Sequence, residues 1–382
     1  MSGDLVAKGA REPRIGLWDH ALEEPNLEDA TFAHGLSALA QIPGLRALEG
    51  SYRKKLRLKS WQYMTASNAE LFVAFVVGTA GFASNAFIYI VERGSGRVHK
   101  RFAITPLGRG TSLSPTSARG SHHFEGGGLA IDIANQDGGR RFTARIETQT
   151  EGDDMPLRVD LEFASAPGDE HFAICTPLEE RPDAHASEGS IEGPTRTRWN
   201  YTHKFGAFAV SGTIELGARK IDMAGAFGTV DFTKSYALRH AVWRWVALAG
   251  RTTTGEILGI NLIDPTPDAP ISENYAWLGG VRIPLTGVSI TVATPGEPTS
   301  TWAARAGQAQ LVKPGAPSTG AAQLELTGTP IGHVEQRLDV PLVRHRLLHC
   351  VTNFAGTLRL ADGTAHAFAD IGGIAEDNDT WW

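Results

Sequence analysis

At 382 residues the chain is too long for one small core and fits two domains of ordinary size, which its 42% hydrophobic content is enough to fill. A net charge of −6 spread along the chain excludes an electrostatic nucleic-acid footprint, which needs a basic face. With 43 glycines and 20 prolines the chain must turn often.

The N-terminus, "MSGDLVAKGAREPR", lacks the charged-then-apolar pattern of a secretory leader. The stretch from Asn26 to Ile42, "NLEDATFAHGLSALAQI", is the one that reads as helical. The basic run "RKKLRLK" at Arg53 is short and interleaved with leucines, the pattern of a solvated strand or turn face. β-rich runs then follow in a steady rhythm: "FVAFVV", "AFIYIV", "GLAIDIA", "RFTARIE", "RVDLEF" and "HFAICT", separated by "GSG", "QDGG", "EGDD" and "APGD" turns. The longest apolar run, "LFVAFVVGTAGFA", is too short to span a bilayer as a helix. These features predict a cytoplasmic protein without a membrane span. Cys175 and Cys350 stand at unrelated positions, so neither a disulfide framework nor a metal knuckle is expected.

The segment from Glu179 to Arg196, rich in Pro, Gly and Ser, reads as a linker. Past it the rhythm resumes, from "YTHKFGAFAVSGTIEL" to "HAFADIGGIAE". The expected architecture is all-β: two tandem antiparallel barrels or curved sheets after a partly helical N-terminal segment. The segment covers residues 1–50, the first β unit 51–187 and the second 188–382.

The two halves also repeat one another. "KSWQYM" is followed by "LFVAFVVGTAG" and "NAFIYIVERG"; "AVWRWV" is followed by "EILGINLI" and "ENYAWLGGV", in the same order and at nearly constant offset. The ordered repeat predicts structural duplication, with the strands after Trp61 and Trp243 in equivalent places. Ligand-sized space then falls inside the barrels or between them.

The segments "KFGAFAVSGTIELGARKIDM", "SYALRHAVWRWVALAGRTTTGEILGINL", "ISENYAWLGGVRIPLTGV" and the closing "GIAEDNDTWW" carry a resemblance, together with "LRLKSWQYM" and "HHFEGGG". From about Ser51 onward the chain resembles the bacterial domain-of-unknown-function family numbered 2804, most specifically in its W-x-W, G-x-N-L and E-N segments. That family is similar in layout to tandem lipocalin-like proteins, which include carotenoid hydratases and pericyclase-type enzymes. The resemblance implies a two-barrel fold with an apolar pocket; a fold alone assigns no reaction. Where the family shows Gly-Thr-Gly before Thr-Glu-Asn, this chain reads "DAPISENYAW". That departure sits beside the main polar cluster and implies a different substrate choice.

No HExxH, GxSxG, Walker or dinucleotide-binding motif is present, so no cofactor is expected. In "HHFEGGG", His122 and Phe124 share one strand face while His123 and Glu125 share the other, and no metal site is expected there. The crowded passage "DFTKSYALRHAVWRW" combines Asp231, Lys234, Tyr236, Arg239, His240 and Arg244 with Trp243 and Trp245. "SENYAW" adds Glu273, Asn274, Tyr275 and Trp277, and "NYTHK" offers Tyr201 and His203 on a common face. A carboxylate among aromatics is desolvated and suited to proton transfer, so Glu273, Asp231, His203 and Tyr201 are the catalytic candidates. Trp243, Trp245, Arg244, Asn274, Trp277, Lys234 and Tyr236 are the substrate-binding candidates. The competing structural role makes Glu273 a buried strut paired with Arg244.

Three functions fit these residues. The first is a cofactor-independent lyase, hydratase or isomerase acting on an apolar aromatic or isoprenoid-like molecule. The second is a carrier with the same pocket and no turnover; the third is a scaffold with solid barrels. A pocket holding paired ionisable groups favours the first, one polar group at a pocket mouth the second, and no pocket the third.

Overall fold

The computed structural model describes residues 4–10, 12–30, 57–149, 155–180, 196–265, 271–307, 322–340 and 343–381. Among them the named helical elements are two single 3-10 turns, Leu27–Asp29 and Asp137–Gly139. Most of the segment read as helical lies outside the described residues, and its described start is the first of these turns. Apart from an isolated parallel bridge between Asp4 and Glu24, the other named elements among the described residues are antiparallel strands.

The first sheet contains β1 (Gly16–Trp18), β2 (Lys59–Ser67), β3 (Leu71–Thr79), β4 (Ala83–Glu92), β5 (Val98–Pro106), β6 (Thr111–Ser112) and β7 (Gly120–Gly126). It continues with β8 (Leu129–Gln136), β9 (Arg141–Thr148), β10 (Leu157–Ala164), β11 (Phe172–Glu180), β12 (Arg196–Leu216), β13 (Arg219–Asp222) and β14 (Ala226–Ser235). The second sheet contains β15 (His240–Arg251), β16 (Ile257–Asp264), β17 (Tyr275–Leu278), β18 (Val281–Pro284) and β19 (Ser289–Val292). Its remaining strands are β20 (Trp302–Ala306), β21 (Gln323–Val340), β22 (Val343–Arg359) and β23 (Ala365–Trp381).

In the first sheet the order β5-β4-β3-β2-β14-β12 continues through β10 to β6; in the second, β18-β17-β16-β15-β23-β22 continues through β21 to β19. Each sheet therefore places its opening meander outside the strand that begins with the tryptophan repeat, and pairs that strand with its own last one. The strands after Trp61 and Trp243 occupy corresponding places. The sheets change over between Ser235 and His240, beyond the boundary expected at residues 187/188, because β12 to β14 pair back into the first sheet. β12 crosses from β10 to β11 along its length and β14 then reaches β2, so the first sheet needs this late stretch to join its two parts.

Burial explains the sequence patterns. β9 and β10 alternate buried and exposed residues, with one face on the core and one in solvent. β3, "LFVAFVVGT", is buried along nearly its whole length because both faces are covered. One face, with Val73, Phe75 and Val77, joins the core inside the first sheet; the other, with Phe72, Ala74 and Val76, meets the second sheet. β15 does the same, with Val246 and Leu248 in the second core and Trp245 and Ala247 at the junction. The two sheets thus pack through the outer faces of their repeated strands.

Candidate active site

Between those outer faces lies a pocket of about 1180 Å3. Trp61, Tyr63 and Phe87 form wall on the side of the first sheet, and Trp243, Trp245 and Ile263 on the side of the second. The second aromatics of the two repeats therefore face one another: the Tyr63 and Trp245 rings meet edge to face at 5.5 Å.

Two ionisable groups of residues sit in this wall. In the first, Lys204 on β12 bonds Glu273 at 2.9 Å and Asp231 on β14 at 3.4 Å. All three are almost fully buried, with Glu273 8% and Asp231 9% exposed. Thr202 and Thr233 donate to Asp231 Oδ1 at 3.1 and 2.9 Å, and Asn200 donates to Glu273 Oε1 at 3.2 Å. Burial lowers the Lys204 pKa, but the charges of Asp231 and Glu273 outweigh it and raise it above its usual value. Lys204 is therefore an ammonium, and its charge also lies over the Trp245 ring at 5.3 Å.

In the second group, Glu376 on β23 accepts from Trp243 Nε1 at 2.5 Å and pairs with His349 Nε2 on β22 at 2.6 Å. His349 Nδ1 lies 3.2 Å from the Tyr89 hydroxyl, which lies 3.0 Å from the Tyr63 hydroxyl. The two groups occupy matching rows. Lys204, Asp231 and Tyr63 are direct cross-strand partners over β12, β14 and β2. His349, Glu376 and Trp245 are direct partners over the corresponding β22, β23 and β15. The sequence offset from Lys204 to His349 equals that from Asp231 to Glu376. Each sheet thus presents a base, a carboxylate and an aromatic, in that order, to the shared pocket.

The three most specific segments of the sequence form one hydrogen-bonded unit that sets Glu273. Trp245 Nε1 donates to Asn261 Oδ1 at 2.8 Å, and Asn261 Nδ2 donates to the Glu273 carbonyl at 2.7 Å. Asn274 accepts from the Ile263 amide at 2.6 Å and donates to its carbonyl at 3.3 Å. The bend before β17 is thereby pinned to β16, and the Glu273 side chain reaches Lys204.

The candidate residues from the sequence divide. Glu273, Asp231, Trp243 and Trp245 all line the pocket. Tyr201 and His203 alternate with Lys204 on β12 and point to the opposite face, away from the pocket wall. There the Tyr201 hydroxyl accepts from the Leu22 amide at 2.9 Å, and His203 bridges Ser117 at 2.8 Å and His171 at 3.2 Å. Lys234 and Tyr236 also serve the packing of the N-terminal segment, Lys234 bonding Glu28 at 2.7 Å and the Pro25 carbonyl at 2.9 Å. Arg244 faces away from Trp243 and Trp245; it pairs with Asp377 at 3.7 Å and bonds the Ile290 carbonyl at 3.0 Å. The expected strut between Glu273 and Arg244 is therefore absent, and Lys204 is the partner of Glu273. Trp277 does lie on the Glu273 side of its strand but is 0% exposed, stacked on Phe172 and donating to the Glu170 carbonyl at 2.7 Å. Asn274 holds backbone and does not line the pocket. His122 and His123 take opposite faces: His122 is buried beside Asn135 at 3.0 Å, and His123 pairs with exposed Asp132 at 2.7 Å.

Sequence reasoning passed over Lys204, Tyr63, Tyr89, His349 and Glu376. Lys204 lay one residue from His203, and the strand period alone does not say which of two buried faces meets the pocket. His349 and Glu376 carried one available signal: aligning β12 and β14 with β22 and β23 leads from Lys204 to His349 and from Asp231 to Glu376, while Tyr63 stood in the tryptophan repeat itself.

Among the described residues no three His, Cys, Asp or Glu side chains gather as a metal-ligand set, and Cys175 and Cys350 are free and buried. No described helix is long and apolar enough to cross a membrane.

No curated protein matches the sequence. Among solved structures, the chain is similar to a protein provisionally assigned as AttH from Nitrosomonas europaea, at 15% identity and a TM-score of 0.48, covering 86% of this chain and 94% of that one. It is also similar to kievitone hydratase from Nectria haematococca, at 9% identity and a TM-score of 0.43, covering 91% of this chain and 92% of that one. The family model described as domain of unknown function DUF2804 matches residues 36–382, nearly the whole chain, and the protein belongs to that family.

Proposed function

We propose that the protein is a cofactor-independent lyase, hydratase or isomerase whose substrate is an apolar, aromatic or isoprenoid-like molecule held between the two sheets. The observation that carries this reading is the Lys204–Asp231–Glu273 cluster in the wall of a pocket otherwise rich in tryptophan and tyrosine. Charged groups are costly in such surroundings unless paired or put to use. One ammonium facing two carboxylates leaves surplus negative charge, which suits proton removal and the stabilisation of a developing cation. The Trp243 ring in the same wall favours the same cation. In a hydration, Glu273 or Asp231 takes the proton that water loses as it attacks one carbon and delivers a proton to the neighbouring carbon, ending as it began; in the reverse direction the same group moves the proton the other way.

A carrier is the competing reading, and it draws on the apolar rim, where Phe82, Phe102, Ile104 and Val242 are exposed beside the opening. The rim suits entry of an apolar ligand equally well for an enzyme, whereas two sets of ionisable groups deep in the wall have no role in carriage alone.

The test is Glu273→Gln, assayed on a small molecule identified by mass spectrometry of the purified protein. Asp231 still neutralises Lys204 in this variant, so the fold is not left with an unpaired charge. Turnover is expected to fall by about 10²–10⁴-fold while the melting temperature stays within a few degrees. Normal turnover by a variant that melts early would make Glu273 a strut.

A further inference from the structure

The second ionisable group has an internal direction. With Glu376 as a carboxylate accepting from Trp243 Nε1–H, the 2.6 Å contact makes His349 Nε2 a donor. The neutral imidazole then has Nδ1 as an acceptor, which receives the Tyr89 hydroxyl at 3.2 Å. Tyr89 oxygen in turn receives the Tyr63 hydroxyl at 3.0 Å. Every donor points one way, from Tyr63 towards Glu376. Tyr63 oxygen accepts from no other member of the relay, and Tyr63, like the other three, lines the pocket. It is the donor end.

The two phenols are poor resting places for charge. Burial, together with neighbouring Tyr89, Glu376 and Asp231, pushes the Tyr63 pKa well above its usual value, and burial does the same to Tyr89. Both carboxylates that bear on Tyr63 oppose a tyrosinate. His345, on the same strand as His349, also lines this wall, and burial holds its pKa below the usual value. Charge arriving at the chain therefore ends on His349, where Glu376 stabilises an imidazolium.

Resting on the acid–base reading above, we propose that Tyr63, Tyr89, His349 and Glu376 form a proton relay that ionises a phenolic hydroxyl on the substrate, so the substrate class is hydroxylated aromatic. The step balances without a co-reactant. The substrate O–H proton passes to Tyr63 oxygen as the Tyr63 proton passes to Tyr89 and the Tyr89 proton to His349 Nδ1. The substrate is left an oxyanion and His349 an imidazolium, and no electron is exchanged. A phenol fits as the next link because it is the same group as the links it joins and gives up its proton far more readily than water. The aromatic wall formed by Trp61, Phe87, Trp243 and Trp245 suits the ring that carries it.

The probe is 2-naphthol, whose neutral and ionised forms absorb and fluoresce differently. Titrated with pH in the presence of excess protein, bound 2-naphthol is expected to ionise at least one pH unit below the free compound, a tenfold preference for the anion at about 1.4 kcal/mol. Tyr63→Phe, which keeps the ring and removes one hydroxyl, is expected to bind the probe and abolish the shift. His349→Gln, which keeps a hydrogen-bonding side chain without the base, is expected to do the same. A packing role for these residues would change affinity without moving the ionisation midpoint. Failure of the wild-type protein to bind 2-naphthol, binding without a shift, or a shift that survives in Tyr63→Phe would each overturn the relay. None of those results bears on Glu273→Gln, which tests the acid–base reading through turnover.

Discussion

Burial holds the pKa of His122 and of His203 at about 3, far below the usual histidine value of 6.5, with the charges of His20 and Arg140 adding to the effect at His203. His171 is displaced in the same direction by burial and by His203. The sign follows from linkage. An unfolded histidine takes up a proton near pH 6.5, whereas these folded ones stay neutral, so the unfolded state binds more protons in the interval. Stability is complete above pH 6.5 and falls as the pH drops from there towards 3, by about 1.4 kcal/mol per pH unit for each histidine. Urea melts between pH 7.5 and 5, above the range where most carboxylates titrate, are expected to show this slope. His122→Gln should make it shallower by one histidine. An unchanged slope in that variant would place the proton uptake elsewhere.

The strand, as an element, is where the sequence was most readable and where the site was lost. Alternation in "RFTARIE" and "RVDLEF" marked β9 and β10 because one face of each meets solvent, and the turn signals marked where they end. The repeat at Trp61 and Trp243 marked corresponding strands because each sheet places them alike. On β12 that logic had nothing to work with. Its Tyr201 and His203 face is buried and so is its Lys204 face, so hydrophobicity gives no preference between them. At β17 the parity was right, since Glu273 and Trp277 both turn towards the first sheet. Distance along the strand was unreadable, and it takes Trp277 out of the pocket and onto Phe172 and Gly206.

Gly206 and Gly259 show what places β16 there. A Cβ on Gly259 would lie 2.1 Å from the Gly206 carbonyl oxygen, so the two backbones touch where the sheets cross. Gly259 is the glycine of the G-x-N-L segment, two residues before the Asn261 that holds the Glu273 backbone. Gly259→Ala must push β16 off β12, an overpacking cost of roughly 1–3 kcal/mol. Its melting temperature is expected to fall measurably, while Gly94→Ala, with open space around the added methyl, should melt like the wild type. Equal melting of both variants would mean that the crossing tolerates a methyl group and does not fix β16.

At the scale of the whole molecule, the question is whether two sheets with separate cores unfold separately. Several contacts argue that they do not. The Trp277 side chain reaches from the second sheet into the core of the first, and its indole N–H donates to the Glu170 carbonyl on the first sheet's side. Arg93, near the end of β4, bonds Asn353 on β22 at 2.9 Å and Asp370 on β23 at 2.7 Å. Arg282 on β18 reaches the His171 carbonyl at 2.7 Å. Loss of either sheet would expose the shared face around Tyr63, Phe72, Trp245 and Ile374 and would leave Lys204 without Glu273 and Tyr89 without His349. Buried charges and apolar surface stranded in this way make a half-folded state costly. A single cooperative transition is therefore expected, with calorimetric and van't Hoff enthalpies in agreement and with tryptophan fluorescence and far-UV circular dichroism changing together. A ligand that touches both walls of the pocket should raise that one transition as a whole. Two resolved transitions, or a ligand that shifts one and leaves the other in place, would show that the halves are stable alone and that the pocket joins two independent units.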